Sequence, residues 1–171
     1  MSHSGDKVNS LRFLGGATKR LVKTWIKMEQ PREIPWTPLK KDLSESRIAM
    51  LSTGALAMDS DEPFDQQGEI DNPWWGDPTH RVIPGSADLG EVRSYHLHID
   101  PWYSRQDVNC LFPLDRLREL SASGIVGEVA ESHYSIMGYI LEPKTLLNET
   151  TPQIIESLKN EQVDLLILVP A

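Results

Sequence analysis

The sequence has little with which to make covalent staples: its 171 residues include one cysteine, Cys110. No internal disulfide can form, and neither a CxxC redox pair nor a cysteine-based structural zinc site is available. Long apolar runs are missing too. No stretch approaches the roughly 20 apolar residues that span a bilayer, and the polar start MSHSGDKVNS lacks the charged-then-apolar order of a secretory signal. The expectation is a cytoplasmic protein without a membrane span. No GxGxxG or GxxxxGKS/T occurs, which leaves dinucleotide and P-loop readings without an anchor, and no GxSxG elbow supports Ser-His-Asp catalysis. The formal charge of −8 argues against general nucleic-acid binding.

The charge that is present is unevenly placed. Residues 1–41 carry nine of the 17 Lys and Arg against only Asp6, Glu29 and Glu33, a net of about +6 that leaves about −14 on the remainder. Within residues 1–43, Leu11, Leu14, Ala17, Leu21, Trp25 and Met28 recur three or four apart among lysines and arginines. That is the pattern of a basic amphipathic helix, weakened at Gly15 and Gly16, and the Pro-rich PREIPWTPLKK after it reads as an extended connector. Such a helix suits packing on the body of the protein or on a partner subunit, and its basic face also suits a membrane surface.

Residues 44–171 read as an α/β domain. RIAMLSTGAL, from Arg47, has the branched apolar character of a strand that Gly54 ends. Residues 55–80 form a turn-rich loop, rich in Asp and Glu and without Lys or Arg. Loops of this length are more often functional or mobile than merely connecting. Its Trp74 and Trp75 suit closure over a ligand, docking of a partner, or packing on the sheet. VRSYHLHID predicts a second strand. FPLDRLRELSASG predicts a helix with Pro113 in its first turn and Gly124 at its end. TPQIIESLKNEQ predicts another, capped by Thr151 with Pro152 at the first helical position. Val163–Val169 reads as a strand buried on both faces of a parallel sheet. The order predicts a three-layer-like parallel or mixed sheet, incomplete at its C-terminal side, because a last strand without a following helix leaves part of one face to be covered by something else.

The tightest polar constellation is His96, His98 and Asp100. Strand alternation would bring both imidazoles and the carboxylate to one face, neighbours about 6–7 Å apart, and such a set suits a metal or a solvated face. The spacing resembles the start of the HxHxDH motif of the metallo-β-lactamase hydrolases, with Pro101 in place of the final histidine. His133 is a further polar candidate. Cys110 precedes a helix whose amino end would activate a thiol, and flanking Val108, Leu111 and Phe112 favour a small buried hydrophobe instead. No metal site and no cofactor-binding residue is assigned to the chain.

Taken together, RIAMLSTGAL, HLHID, DVNCLFPLDRLRELSASGIVGEVAESHYSIMGYI and VDLLILVPA resemble, in this order and spacing, the selenoprotein B family of glycine, sarcosine, betaine and D-proline reductases, in particular its D-proline-reductase-like branch. The resemblance covers roughly residues 45–171 and is most specific in FPLDRL at 112–117 and HYSIMGYI at 133–140. It implies a subunit of a selenium-dependent reductase acting on a small amino substrate. A selenolate attacks the carbon bearing the amine, the amine leaves, and a thiol reductant regenerates the selenolate. The resemblance places selenocysteine, or cysteine in non-selenium relatives, just after the strand matching VDLLILVP. Since UGA encodes selenocysteine, the expectation is a chain cut at that codon after Ala171 and inactive alone. A pyruvoyl group is implied on a partner subunit. No family role is carried over to His96, His98, Asp100 or His133, which remain candidate catalytic acids, bases or binding groups on their chemistry. Two other classes stay open: a non-catalytic interaction module whose basic helix recruits a partner, and a metal-dependent hydrolase using His96, His98 and Asp100.

Overall fold

The computed structural model describes residues 16–28, 37–72 and 74–171, which fall in two units, Met1–Pro38 and Leu39–Ala171. In the first unit helix α1 spans Gly16–Met28, beginning at the second of the two glycines. Leu11, Leu14 and most of the connector lie outside the described residues, as does the side chain of Trp25.

The second unit runs β1 (Arg47–Ser52), β2 (Leu56–Met58), α2 (Gln66–Asp71), β3 (His80–Pro84), β4 (Val92–Ser94), α3 (Pro101–Gln106), α4 (Leu114–Ala122), β5 (Glu128–Val129), β6 (Ser132–Ile136), α5 (Thr151–Asn160) and β7 (Leu165–Val169). This is a mixed α/β fold. β1 is its axis: β5 and β6 pair with it in parallel, and β7 pairs with it in parallel from Ile48↔Leu165 to Ser52↔Val169. β3 adds to β6 antiparallel, so the sheet is mixed, while β2 and β4 form a separate two-stranded ribbon. One face carries Ile48, Met50 and Ile83 against Leu114 and Leu117 of α4 together with Phe112, all buried. On the other face Tyr134 lies beside Ser157 of α5. The leucines of α4 recur at helical spacing for this reason, and Gly124, at φ +73°, takes the left-handed conformation that ends the helix.

Five expectations need correction. The strand expected to run from Arg47 to Gly54 ends two residues sooner: β1 stops at Ser52, the chain turns through Thr53–Ala55 with Ala55 at φ 48°, and β2 leaves for the ribbon. Only Val92–Ser94 of VRSYHLHID is a strand, because Asp100 accepts the Trp102 N–H at 2.9 Å and Pro101 occupies the first turn of α3, a helix start that outcompetes continued alternation. Thr151 is already helical rather than a cap, since a π-helical turn at Leu146–Thr150 feeds α5. β7 is an edge strand, not one buried on both faces: among the described strands it pairs only with β1, and Leu168 is 67% exposed. Branched, apolar composition reports the preference for a pleated conformation, not how many neighbours the strand has. Cys110 likewise is exposed, with Leu111 and Phe112 taking the buried places beside it.

Candidate functional site

Because β1, β6 and β7 are parallel, their carboxyl ends lie together, and the chain beyond each end meets the others. Thr53 is the joint. Its N–H donates to the Val169 carbonyl at 3.1 Å, and its hydroxyl accepts the Ala171 N–H at 2.8 Å. Gly54 bridges to Met137 just past β6. Gly138 has to be glycine for steric reasons: a Cβ there would lie 2.8 Å from the Thr53 carbonyl and 2.9 Å from His96 Nε2. The backbone beyond β6 therefore packs closely between the end of β1 and an imidazole. In open α/β sheets this is the end where ligands bind.

His96 and His98 arrive there on the turn that replaces the expected strand. Their ring centroids are 5.8 Å apart, edge to face. The His98 backbone N–H donates to His96 Nδ1 at 3.1 Å, so a neutral His96 carries its proton on Nε2. Burial above all, and secondarily the neighbouring His98, pushes the His96 pKa down, with Glu69 acting the other way. His98 packs against the Tyr139 ring at 4.6 Å between centroids, and its Nε2 lies 2.6 Å from Glu69 Oε1. The Glu69 side chain is 4% exposed while that of His98 is 54% exposed.

Glu69 was not singled out in the sequence, where it is one acid among many in the 55–80 loop. The loop is held by the first cation after it. Arg81, on β3, donates to the carbonyls of Glu62 at 2.6 Å and Pro63 at 3.0 Å, and its guanidinium lies 4.4 Å from the centre of the Phe64 ring. The buried Asp77 accepts the Asp65 N–H at 3.0 Å, and Asp65 in turn accepts the Gly68 N–H to cap α2. These anchors place Glu69 on the inner face of α2.

The other two candidates lie elsewhere. Asp100 caps α3. His133 sits in the core, where its Nδ1 accepts the Met50 N–H at 2.9 Å in place of a ladder carbonyl and its ring meets Phe112 edge to face. Its pKa is pushed down to about 4, by burial first and by Arg118 next, with Glu161 and the Ala130 backbone opposing. Among the described residues no group of three or more His, Cys, Asp or Glu side chains is arranged to hold a metal ion. From His96 an open cleft of about 780 Å3 runs past Tyr95 and Gln66 toward Arg105 and Asn109. No described helix is long and apolar enough to cross a membrane.

Two imidazoles are thus brought together at the carboxyl end of an α/β sheet, and comparison with known proteins adds a family to this arrangement. Residues 17–171 match the family described as glycine/sarcosine/betaine reductase selenoprotein B, and the chain belongs to that family. It is 31% identical over 133 residues to the D-proline reductase subunit gamma of Acetoanaerobium sticklandii, covering 78% of this chain and 52% of that protein. Over 107 residues it is 29% identical to a glycine reductase complex component B subunit gamma of Carboxydothermus hydrogenoformans, covering 61% of this chain and 23% of that protein. A betaine reductase complex component B subunit beta of Peptoclostridium acidaminophilum is 33% identical over 103 residues, covering 57% and 22%. The chain thus spans about half the length of the first of these relatives and about a quarter of the others. No solved structure matches it.

Proposed function

We propose that this chain forms part of a selenium-dependent reductase that cleaves the carbon–nitrogen bond of a small amino substrate, working beside a partner subunit that carries a pyruvoyl group and drawing electrons from a thiol reductant. The observation that supports this most directly is the meeting, in a chain of this family, of the end of β7 with Thr53, and of Thr53 and His96 on either side of Gly138. A selenocysteine, or a cysteine, just after Ala171 would supply the nucleophile that displaces the amine. The surrounding residues fit such a group: His96, kept neutral by burial, offers a donor from Nε2, and the exposed His98 ring is open to exchange protons. The cleft beyond His96 has room for a small substrate. Relatives named for D-proline, glycine, betaine and sarcosine support a substrate of this class.

The test is co-expression of the gene and any continuation of its reading frame through UGA with a candidate pyruvoyl subunit, in a selenium-supplied host. The complex is incubated with a dithiol and D-proline, glycine, sarcosine or betaine in turn. Consumption of one of them, with one dithiol oxidised per substrate, is the expected result. Selenium incorporated but none of the four consumed overturns the proposal.

A further inference from the structure

We infer that Glu69 is the positioning residue of His98, and that this pair of a buried carboxylate and an exposed imidazole delivers the proton taken up by the departing amine; the inference rests on the reductase reading above. Three observations carry it. Glu69 Oε1 lies 2.6 Å from His98 Nε2, a charge-assisted distance. The carboxylate is almost wholly buried, and among the described residues its other oxygen, Oε2, has no hydrogen-bonding partner, so that its hydrogen bond there is the one to His98. The imidazole it holds is half exposed and lies beside His96 at the end of the sheet.

A carboxylate is acceptor-only, so Nε2 of His98 must carry a hydrogen and donate it. That fixes the tautomer and leaves Nδ1 as the nitrogen that gains and gives up protons. The arrangement is that of an acid–base histidine oriented by a third group, in which removing the orienting carboxylate scrambles the tautomer without emptying the site. Packing on the Tyr139 ring restricts the remaining freedom of the imidazole. Among the described residues, the groups that face His98 are Glu69 from α2, His96 from its own turn and Tyr139 from the segment after β6.

The chemistry balances without a further reactant. In the displacement the nucleophile's electron pair makes the new bond at carbon, and the carbon–nitrogen pair leaves on nitrogen. That nitrogen takes one proton, which His98 supplies from Nδ1 while keeping its Nε2 hydrogen on Glu69. The protonated form of His98 is restored from solvent through its exposed edge.

Two measurements test this. In the 171-residue chain, two-dimensional proton–nitrogen spectra of the imidazoles at pH 8 are expected to show His98 as the Nε2–H tautomer and to show redistribution toward Nδ1–H in Glu69→Gln, whose amide can donate as well as accept. In the assembled reductase, His98→Gln is expected to lower kcat by about a hundredfold or more, the ordinary scale of acid–base assistance, with KM within about threefold. Glu69→Gln should lower kcat by about tenfold or more, and the double variant should lose no more than His98→Gln alone. An unchanged His98 tautomer in Glu69→Gln overturns the positioning role, and a His98→Gln enzyme within twofold of wild type overturns the proton-transfer role. Should Glu69→Gln not fold, His98→Gln at a solvent-exposed ring still decides the latter. Failure of the wild-type complex on all four substrates counts against the reductase reading and leaves the tautomer experiment to decide the Glu69–His98 relation.

Discussion

Replacing His133 by Phe should trade stability at neutral pH for stability in acid. In the wild type the ring is fully buried, its Nδ1 accepts the Met50 N–H, and its Nε2 meets no hydrogen-bonding partner of good geometry. Phe keeps most of the volume against Phe112 and removes both nitrogens. The Met50 N–H then loses its acceptor, a cost of about 1–3 kcal/mol, offset by the loss of the unpaired nitrogen, for a net of about 1 kcal/mol at pH 7. Acid reverses the order. The folded pKa of His133 lies below the ordinary 6.5, at about 4, so the unfolded chain binds the proton first. The stability is present above pH 6.5 and is lost as pH falls toward and through the folded value, by about 2 kcal/mol at pH 5. The two proteins should be equally stable near pH ~6. Urea unfolding of both at pH 7 and pH 5 checks this, because every other titrating group is common to the pair and cancels in the difference. If wild type loses no more stability than His133→Phe between those pH values, the buried neutral imidazole is refuted.

Arg81→Met should cost about 2–3 kcal/mol, since the 13%-exposed guanidinium leaves the Glu62 and Pro63 carbonyls without a charged donor, and amide exchange should rise across residues 59–79 before anywhere else. Gly138→Ala should cost about 1–3 kcal/mol by overpacking against Thr53 and move the His96 imidazole resonances, a result absent if the segment after β6 simply shifts outward. Asp100→Ala should cost about 1 kcal/mol through loss of the α3 cap and leave turnover by the proposed reductase complex within about twofold, which separates its capping role from the histidine pair.

The elements with one strong local signal were legible in the sequence. Of Leu114, Leu117 and Leu120, whose spacing foretells one apolar face of α4, the first two are buried and Leu120 is 40% exposed; Gly124 ends that helix in the left-handed region, and the apolar run to Val169 is a strand in parallel register with β1. The relation of His96 to His98 was legible only in part. They do meet, but across a turn rather than along a strand, because the Asp100–Pro101 helix start carries more local weight than two-residue alternation. β3 went unseen: HRVIP is short, ends in proline and buries only Ile83, a pattern that an edge strand and a loop share. Glu69 had no signature of its own. Its burial is set by Arg81, twelve residues on, and its partner His98 lies twenty-nine residues away, and such long-range pairing leaves no period in the sequence.

The pairing order of the sheet also sets the timetable of folding. β1 is synthesised early, yet its ladders are completed by segments far later in the chain, the Arg47–Asp164 contact closing a loop of 117 residues. At roughly 5–20 residues per second, the ribosome delivers β7 about 6–23 s after β1. During that interval one main-chain edge of β1, with Ala49 and Met50 beside it, waits unpaired. High contact order of this kind slows collapse to the native ladder and lengthens the exposure of a sticky edge. Nascent chains halted before Asp164 should therefore be held by chaperones, and release should coincide with emergence of Leu165–Val169 from the exit tunnel.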